Sequence, residues 1–194
     1  MRTGEQKLLD LGCCFAQDLR RLAYDGAPTE CLYGTDLRLD FMELGYKLFL
    51  DREKFHAKLV AGDVFKPNAE LDQLNGQIDI IQASSFFHLF DYDEQKTVAK
   101  RCIVLLKPQK DSLICGRQVG NVNAGDFQHR TRPHGKMFRH NPESWKSLWK
   151  EVGEETGTQW DVQVSQQPWT NTDEKYSAYQ DPGMMRLSFS LRRL

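Results

Sequence analysis

The sequence predicts an α/β fold: a mostly parallel sheet with helices on both faces. Three observations lead there. Short apolar runs alternate with stretches of helical periodicity, three of those runs end at or near an acidic residue, and the first run leaves through a glycine into a helix. That rhythm is what right-handed β–α–β crossovers require.

Lys7 to Gly12 (KLLDLG) reads as a first buried strand and its exit turn. Ala16 to Ala23 spaces Leu19, Leu22 and Ala23 as one helical face, and Gly26-Ala27-Pro28 ends it. Cys31 to Asp36 is a second strand with an acidic tip. Asp40 to Phe55 repeats Phe41, Leu44, Leu48 and Phe55 as a surface helix. Leu59 to Phe65 is a third strand, Gln77 to Ala83 a fourth, Asp93 to Leu105 a helix, and Ser112 to Arg117 a fifth strand. Asn121 to Asn141 shows neither period and reads as a long loop, of the kind that serves as a lid. Pro142 opens a helix that Asn141 caps and Gly157 stops. Trp160 to Val164 and Met185 to Leu191 alternate as two antiparallel strands at the sheet edge, joined by a polar connection.

The bulk composition narrows the function classes. The 194 residues suit one domain, and 26 basic against 27 acidic side chains leave a net charge of -1. Neither nucleic acid nor an anionic membrane has an electrostatic claim on such a chain. No apolar stretch approaches the about 20 residues that cross a bilayer. Five cysteines, an odd count without a C-x-x-C spacing, read as free thiols in a reducing compartment, so a cytoplasmic location is expected and no metal is.

The chemistry concentrates at strand ends. In LDLGCCFAQD a glycine-initiated turn feeds a helix N-terminus and offers backbone N–H groups to an anionic group. Cys14 and Gln17 stand where a pyrophosphate-binding loop carries its second and third glycines, so a dinucleotide is disfavoured. S-adenosylmethionine, which carries no phosphate, fits the loop better. Asp36, 24 positions after Gly12, stands where an acid accepts both ribose hydroxyls, although an aspartate there also caps helices. Asp63 and Val64 would flank an adenine. The run ASSFFHLFD after the fourth strand offers Phe86, Phe87 and Phe90 either to a sulfonium or to the core. His88 is the best-placed base, and equally a hydrogen-bonded structural histidine. Arg117 and Gln118 end the fifth strand. His129, Arg130, His134, Arg139 and His140 decorate the loop, at spacings that match no metal signature.

The runs LLDLGCCFAQDLRRLAYDGAP, LYGTDLRLDFMELGYKLF, IDIIQASSFFHLFDYDEQ and LICGRQVGNVN together resemble the fungal methyltransferases of meroterpenoid pathways, of the austinol type. The resemblance spans Leu8 to about Trp160. It implies a Rossmann-like class I methyltransferase fold with seven strands, the last antiparallel. It also implies methyl transfer from S-adenosyl-L-methionine to a carboxylate or hydroxyl oxygen of a polyketide- or terpenoid-derived secondary metabolite. By matching motif, Asp10 and Gly12 belong to the methionine end, Asp36 to the ribose, and Asp63 and Val64 to the adenine; Cys13, Leu37, Ala83 and Ser84 are expected among the cofactor-binding residues. Family members carry a longer region before the glycine turn, so a missing N-terminal cap segment is expected, with a homodimer as the possible assembly. Methyl transfer is an in-line displacement that positioning can drive. A carboxylate acceptor needs no base and could be oriented by Arg117; a phenol would call on His88 or His140. A nicotinamide-dependent oxidoreductase and a non-catalytic binding or regulatory subunit are the alternative readings.

Overall fold

The computed structural model describes residues 5–129, 131–133, 135–169 and 181–194. One seven-stranded sheet runs through it in the order β3-β2-β1-β4-β5-β9-β8. Strands β1 (Leu8–Leu11), β2 (Leu32–Asp36), β3 (Lys58–Ala61), β4 (Ile80–Gln82) and β5 (Leu113–Asn121) pair in parallel. The strand β9 (Met184–Arg193) runs antiparallel to both its neighbours, β5 and β8 (Trp160–Pro168).

Alternation along β1 divides the core in two. Leu8 joins Cys13, Leu19, Leu32 and Met42 beneath helices α1 (Gln17–Tyr24) and α2 (Leu39–Phe49). Leu9 and Leu11 join Ile81, Ile114, Val98, Trp145 and Trp149 beneath α4 (Tyr92–Leu105) and α5 (Pro142–Thr156). Fully burying an aliphatic side chain is worth about 1.5–3 kcal/mol, so these two layers supply most of the driving force. Both long helices start on capping boxes, Asp91 with Glu94 and Asn141 with Ser144, and Gly157 ends α5 at φ 66°.

Several boundaries differ from the sequence reading, each for a local reason. Helix α2 stops at Phe49, short of Phe55, because Leu50 turns left-handed at φ 52°. Beyond it, Asp51 grips the Arg20 guanidinium at 2.6 and 3.0 Å, among the rings of Tyr46, Phe49 and Phe55. Strand β3 ends at Ala61, not Phe65, since Asp63 accepts from the Phe65 N–H in a turn. A four-residue helix α3 (Ala69–Asp72), capped by Asn68, is too short to show a period. The segment expected as a plain loop, 121–141, instead extends β5 to Asn121 and then forms a hairpin of β6 (Gly125–Gln128) and β7 (Lys136–Arg139). Each arm, GDFQ and KMFR, is only four residues, below the length at which alternation can be read. Part of the expected connection between the last two strands, 170–180, lies outside the described residues.

Candidate active site

The site is assembled where β1, β2 and β3 end. Gly12 takes φ 79°, and its N–H and that of Cys13 donate to the Thr35 carbonyl at 2.8 and 3.0 Å. Cys14 and Ala16 follow in the left-handed region, at φ 50° and 54°. The turn is thereby clamped to β2: the Cys14 N–H donates to Asp36 Oδ2 at 2.9 Å, while Asp36 Oδ1 accepts from the Arg38 N–H at 3.0 Å. Each carboxylate oxygen of Asp36 has one lone pair engaged and one open. A side chain on Gly12 would place its Cβ 2.5 Å from the Phe86 ring, so glycine is required both for its φ and for the space.

Gly12, Asp36, Leu37, Asp63 and Val64 line one cavity of about 160 Å³. Sequence reasoning thus placed five of its expected residues around a single hollow. The cavity is small beside the roughly 300–1,000 Å³ usual for ligand pockets, and the aromatic trio Phe65, Phe86 and Phe90 fills much of the rest. Arg132, at the tip of the β6–β7 hairpin, completes the mouth. It faces Glu94 at 3.6 Å and lies 5.9 Å from the Phe90 ring centroid. Phe65, Glu94 and Arg132 were not foreseen. Phe65 read as the tail of a strand, Glu94 only serves the α4 cap, and Arg132 depends on a hairpin that the sequence does not show.

The other expected residues fall around this hollow without lining it. Asp10, the residue before the last of β1, is 4% exposed, and burial, reinforced by Asp18 and then Asp36, pushes its carboxyl up to about 7. Cys13 turns into the α1–α2 layer, its thiol pushed up by burial, so only its backbone faces the turn. Ala83 is fully buried against β5, its N–H donating to the Cys115 carbonyl at 2.8 Å. Ser84 and Arg117 line a separate open cleft with Asp18 and Ser188. His88 lies in the 3-10 turn Phe87–Leu89; burial, then the Arg139 charge, lowers it to about 4, so it is neutral at pH 7. His140 is lowered to about 3 by burial and bonds Ser144 Oγ at 2.9 Å through Nδ1, which makes it a weak base held in the core. His129 is at the surface, its Nδ1 accepting from the Thr131 and Arg132 N–H groups; Arg130 and His134 lie outside the described residues. No disulfide occurs among the described residues, and no described helix is long and apolar enough to cross a membrane.

No protein-family model matches the chain. The O-methyltransferase phiE of Fungal sp. (strain ATCC 74256) is 50% identical over 167 residues, covering 84% of this chain and 55% of that protein. The methyltransferase trt5 of Aspergillus terreus is 40% identical over 191 residues, covering 97% and 67%. The O-methyltransferase atr3 of Stereocaulon alpinum is 39% identical over 196 residues, covering 100% and 56%. The chain therefore spans between about half and two thirds of the length of these curated relatives. Among solved structures, Burkholderia thailandensis 1,6-didemethyltoxoflavin-N1-methyltransferase with bound S-adenosylhomocysteine superposes with a TM-score of 0.68 at 13% identity, covering 99% of this chain and 73% of that one. The [4+2]-cyclase SpnF superposes at 0.67 with 15% identity, covering 97% and 75%. The fold is thus shared with proteins of more than one reaction.

Proposed function

The chain belongs to the fungal secondary-metabolite methyltransferases, and from that premise we propose that residues 1–194 act as one domain that binds S-adenosyl-L-methionine and methylates an oxygen of a small polyketide- or terpenoid-derived metabolite. One observation carries the reading: Gly12, Asp36, Leu37, Asp63 and Val64, from the ends of three consecutive parallel strands, share one cavity. Open parallel sheets bind nucleotides at that edge.

In this reading the open lone pairs of Asp36 take the ribose hydroxyls, and Asp63 and Val64 hold the adenine. The Asp10 carboxylate takes the ammonium of the methionine end, beside a Gly12 turn whose Gly12, Cys13 and Cys14 N–H groups are engaged by Thr35 and Asp36. When bound, the cofactor supplies an electrophilic methyl on a sulfonium; the chain supplies alignment and a dry cleft. Phe86 and Phe90 line the same cavity, and aromatic rings can stabilise a cation. A neutral His88, with its proton affinity suppressed by burial, suits an acceptor that arrives already ionised, such as a carboxylate.

The test is transfer of labelled methyl from S-[methyl-14C]adenosylmethionine into an organic extract of fungal polyketides and terpenoids. Label that mild base hydrolyses marks a methyl ester, and label that resists it marks an ether. No transfer to any extract component contradicts the proposal.

A further inference from the structure

A strand at the end of a sheet presents a row of unpaired N–H and C=O groups, which proteins blunt with brevity, lysines, prolines or bulges. The two ends of this sheet differ in that respect. Strand β3 has four residues and opens on Lys58. Strand β8, WDVQVSQQP, has nine, with Asp161 as its single charge and a proline only at its last position. It pairs with β9 in unbroken register from Trp160 to Pro168, so no bulge turns it aside. The Leu194 N–H donates to the Gln159 carbonyl at 3.0 Å, one position before the Trp160–Arg193 pair. Odd-numbered residues of β8 thus turn their backbone groups to β9, and Trp160, Val162, Val164 and Gln166 turn theirs outward. Among the described residues no backbone group pairs with that outer row.

The edge is complementary to itself. Two copies of β8 laid antiparallel about a two-fold axis at Val164 pair all nine residues, and no other register does so. Even-numbered residues then oppose even-numbered ones, which brings the outward N–H and C=O groups face to face in about eight hydrogen bonds. Pro168 has no N–H to give, which removes one bond at each end only. On one face Val164 meets the partner's Val164, and Val162 meets the partner's Gln166. On the other, Gln163 meets the partner's Ser165 and Asp161 meets the partner's Gln167, so no charge opposes its like. Trp160 and Val162 are only partly buried and, with Trp149, line an open groove of about 520 Å³ between α5 and β8. In this register the partner's Pro168 and Gln166 lie along the mouth of that groove. The contact also closes on itself: each β8 covers the other, and the edges that remain are the blunted β3 strands, so association stops at two.

We propose that the outer edge of β8 is an interface for a second copy of this chain, and that the two seven-stranded sheets join there, β8 to β8, into one continuous sheet about a two-fold axis at Val164. The inference is independent of the methyl-transfer reading. The seam lies at the opposite end of the strand order from β1, β2 and β3, whose ends surround the cofactor cavity, so pairing leaves that cavity open.

Sedimentation velocity over a concentration series tests both the partner and the register. The parent chain is expected to pass from monomer to dimer and no further. Gln163 and Ser165 are exposed, so charges can be placed there without entering the core. Gln163→Lys with Ser165→Lys sets lysine against lysine at two symmetric places, and Gln163→Glu with Ser165→Glu does the same with glutamate. Each pair of changes should weaken self-association by about tenfold, and an equal mixture of the two chains should restore it, since lysine then meets glutamate. Gln163→Lys with Ser165→Glu in one chain should dimerise at least as well as the parent, which holds only if each of these positions faces the other's number in the partner. Melting temperatures confirm folding, and if the double-lysine chain does not fold, the double-glutamate and swapped chains carry the same comparison. A parent that stays monomeric, a parent that forms an open series of larger species, double-charge chains that dimerise as tightly as the parent, or a swapped chain that does not dimerise would each overturn the assignment.

Discussion

Asp10 carries the strongest electrostatic consequence of any single residue in the site. It is buried beside Asp18 and Asp36, so its carboxyl holds a proton until about pH 7. Pairing with the ammonium of a methionine end requires the ionised form. Below pH 7 that ionisation must be driven by binding, so affinity for S-adenosylhomocysteine should fall by up to about tenfold per pH unit, and Asp10→Asn should flatten the dependence. Calorimetry between pH 5.5 and 8 checks it. The sign for stability follows the same shift. A raised carboxyl favours the empty fold at low pH, and that contribution is lost as pH rises from the ordinary carboxylate range through 7. The cofactor's positive charge would offset this loss. Gly12 offers a second test. Gly12→Ala forces a Cβ into a positive φ and onto the Phe86 ring, so it should cost about 1–3 kcal/mol in urea unfolding and abolish cofactor binding.

Among the elements, the β6–β7 hairpin matters most for access. The Phe138 N–H donates to the Phe90 carbonyl at 2.9 Å, and the Gln95 side-chain amide bridges the Phe90 and Phe138 carbonyls at 3.0 and 2.8 Å, tying the hairpin to the wall of the cavity. Arg132 then meets Glu94 across the mouth in a pair exposed enough to be worth about 0–1 kcal/mol. Arg132→Ala should therefore leave the melting temperature unchanged while speeding cofactor release severalfold, as stopped-flow fluorescence would record. The hairpin is also where the sequence was least legible. The β1, β2, β4 and β5 strands announce themselves as short runs beginning on apolar residues and alternating with helical stretches, and Asp36, Asp63 and Val64 are readable because parallel strands deliver their ends to one edge. The arms of the hairpin, GDFQ and KMFR, are held by pairing with each other and by Phe90, contacts that no local pattern encodes. The end of α2 was hidden likewise: DREK continues a helical composition, and only the long-range Arg20–Asp51 pair turns the chain away. Gln118 was visible at the end of β5, but that its amide is buried and unpaired emerges only from packing.

At the scale of the whole molecule, the sheet is unequally covered. Leu187, Phe189 and Leu191 of β9 pack beneath α4 and α5, while Ser188 and Ser190 on its other face border open clefts. Stability is thus concentrated in the aromatic layer of Phe87, Trp145, Trp149 and Phe189, whose ring centroids lie 4.8 to 6.5 Å apart. Trp145→Ala should cost about 3–5 kcal/mol in urea unfolding, a large part of a domain's total stability. That layer also carries the turn on which Phe86 and His88 sit, Phe87 packing its ring on Trp145. Whether the strand ends around Gly12, Asp36 and Asp63 hold S-adenosylmethionine is decided by isothermal titration of the chain and of Asp36→Ala with S-adenosylhomocysteine, with melting temperatures to confirm folding. Saturable binding by the parent and a loss of roughly a hundredfold in the variant, the worth of two hydrogen bonds to the carboxylate, are expected; no binding by the parent, or equal affinity in the variant, would show that the cofactor lies elsewhere.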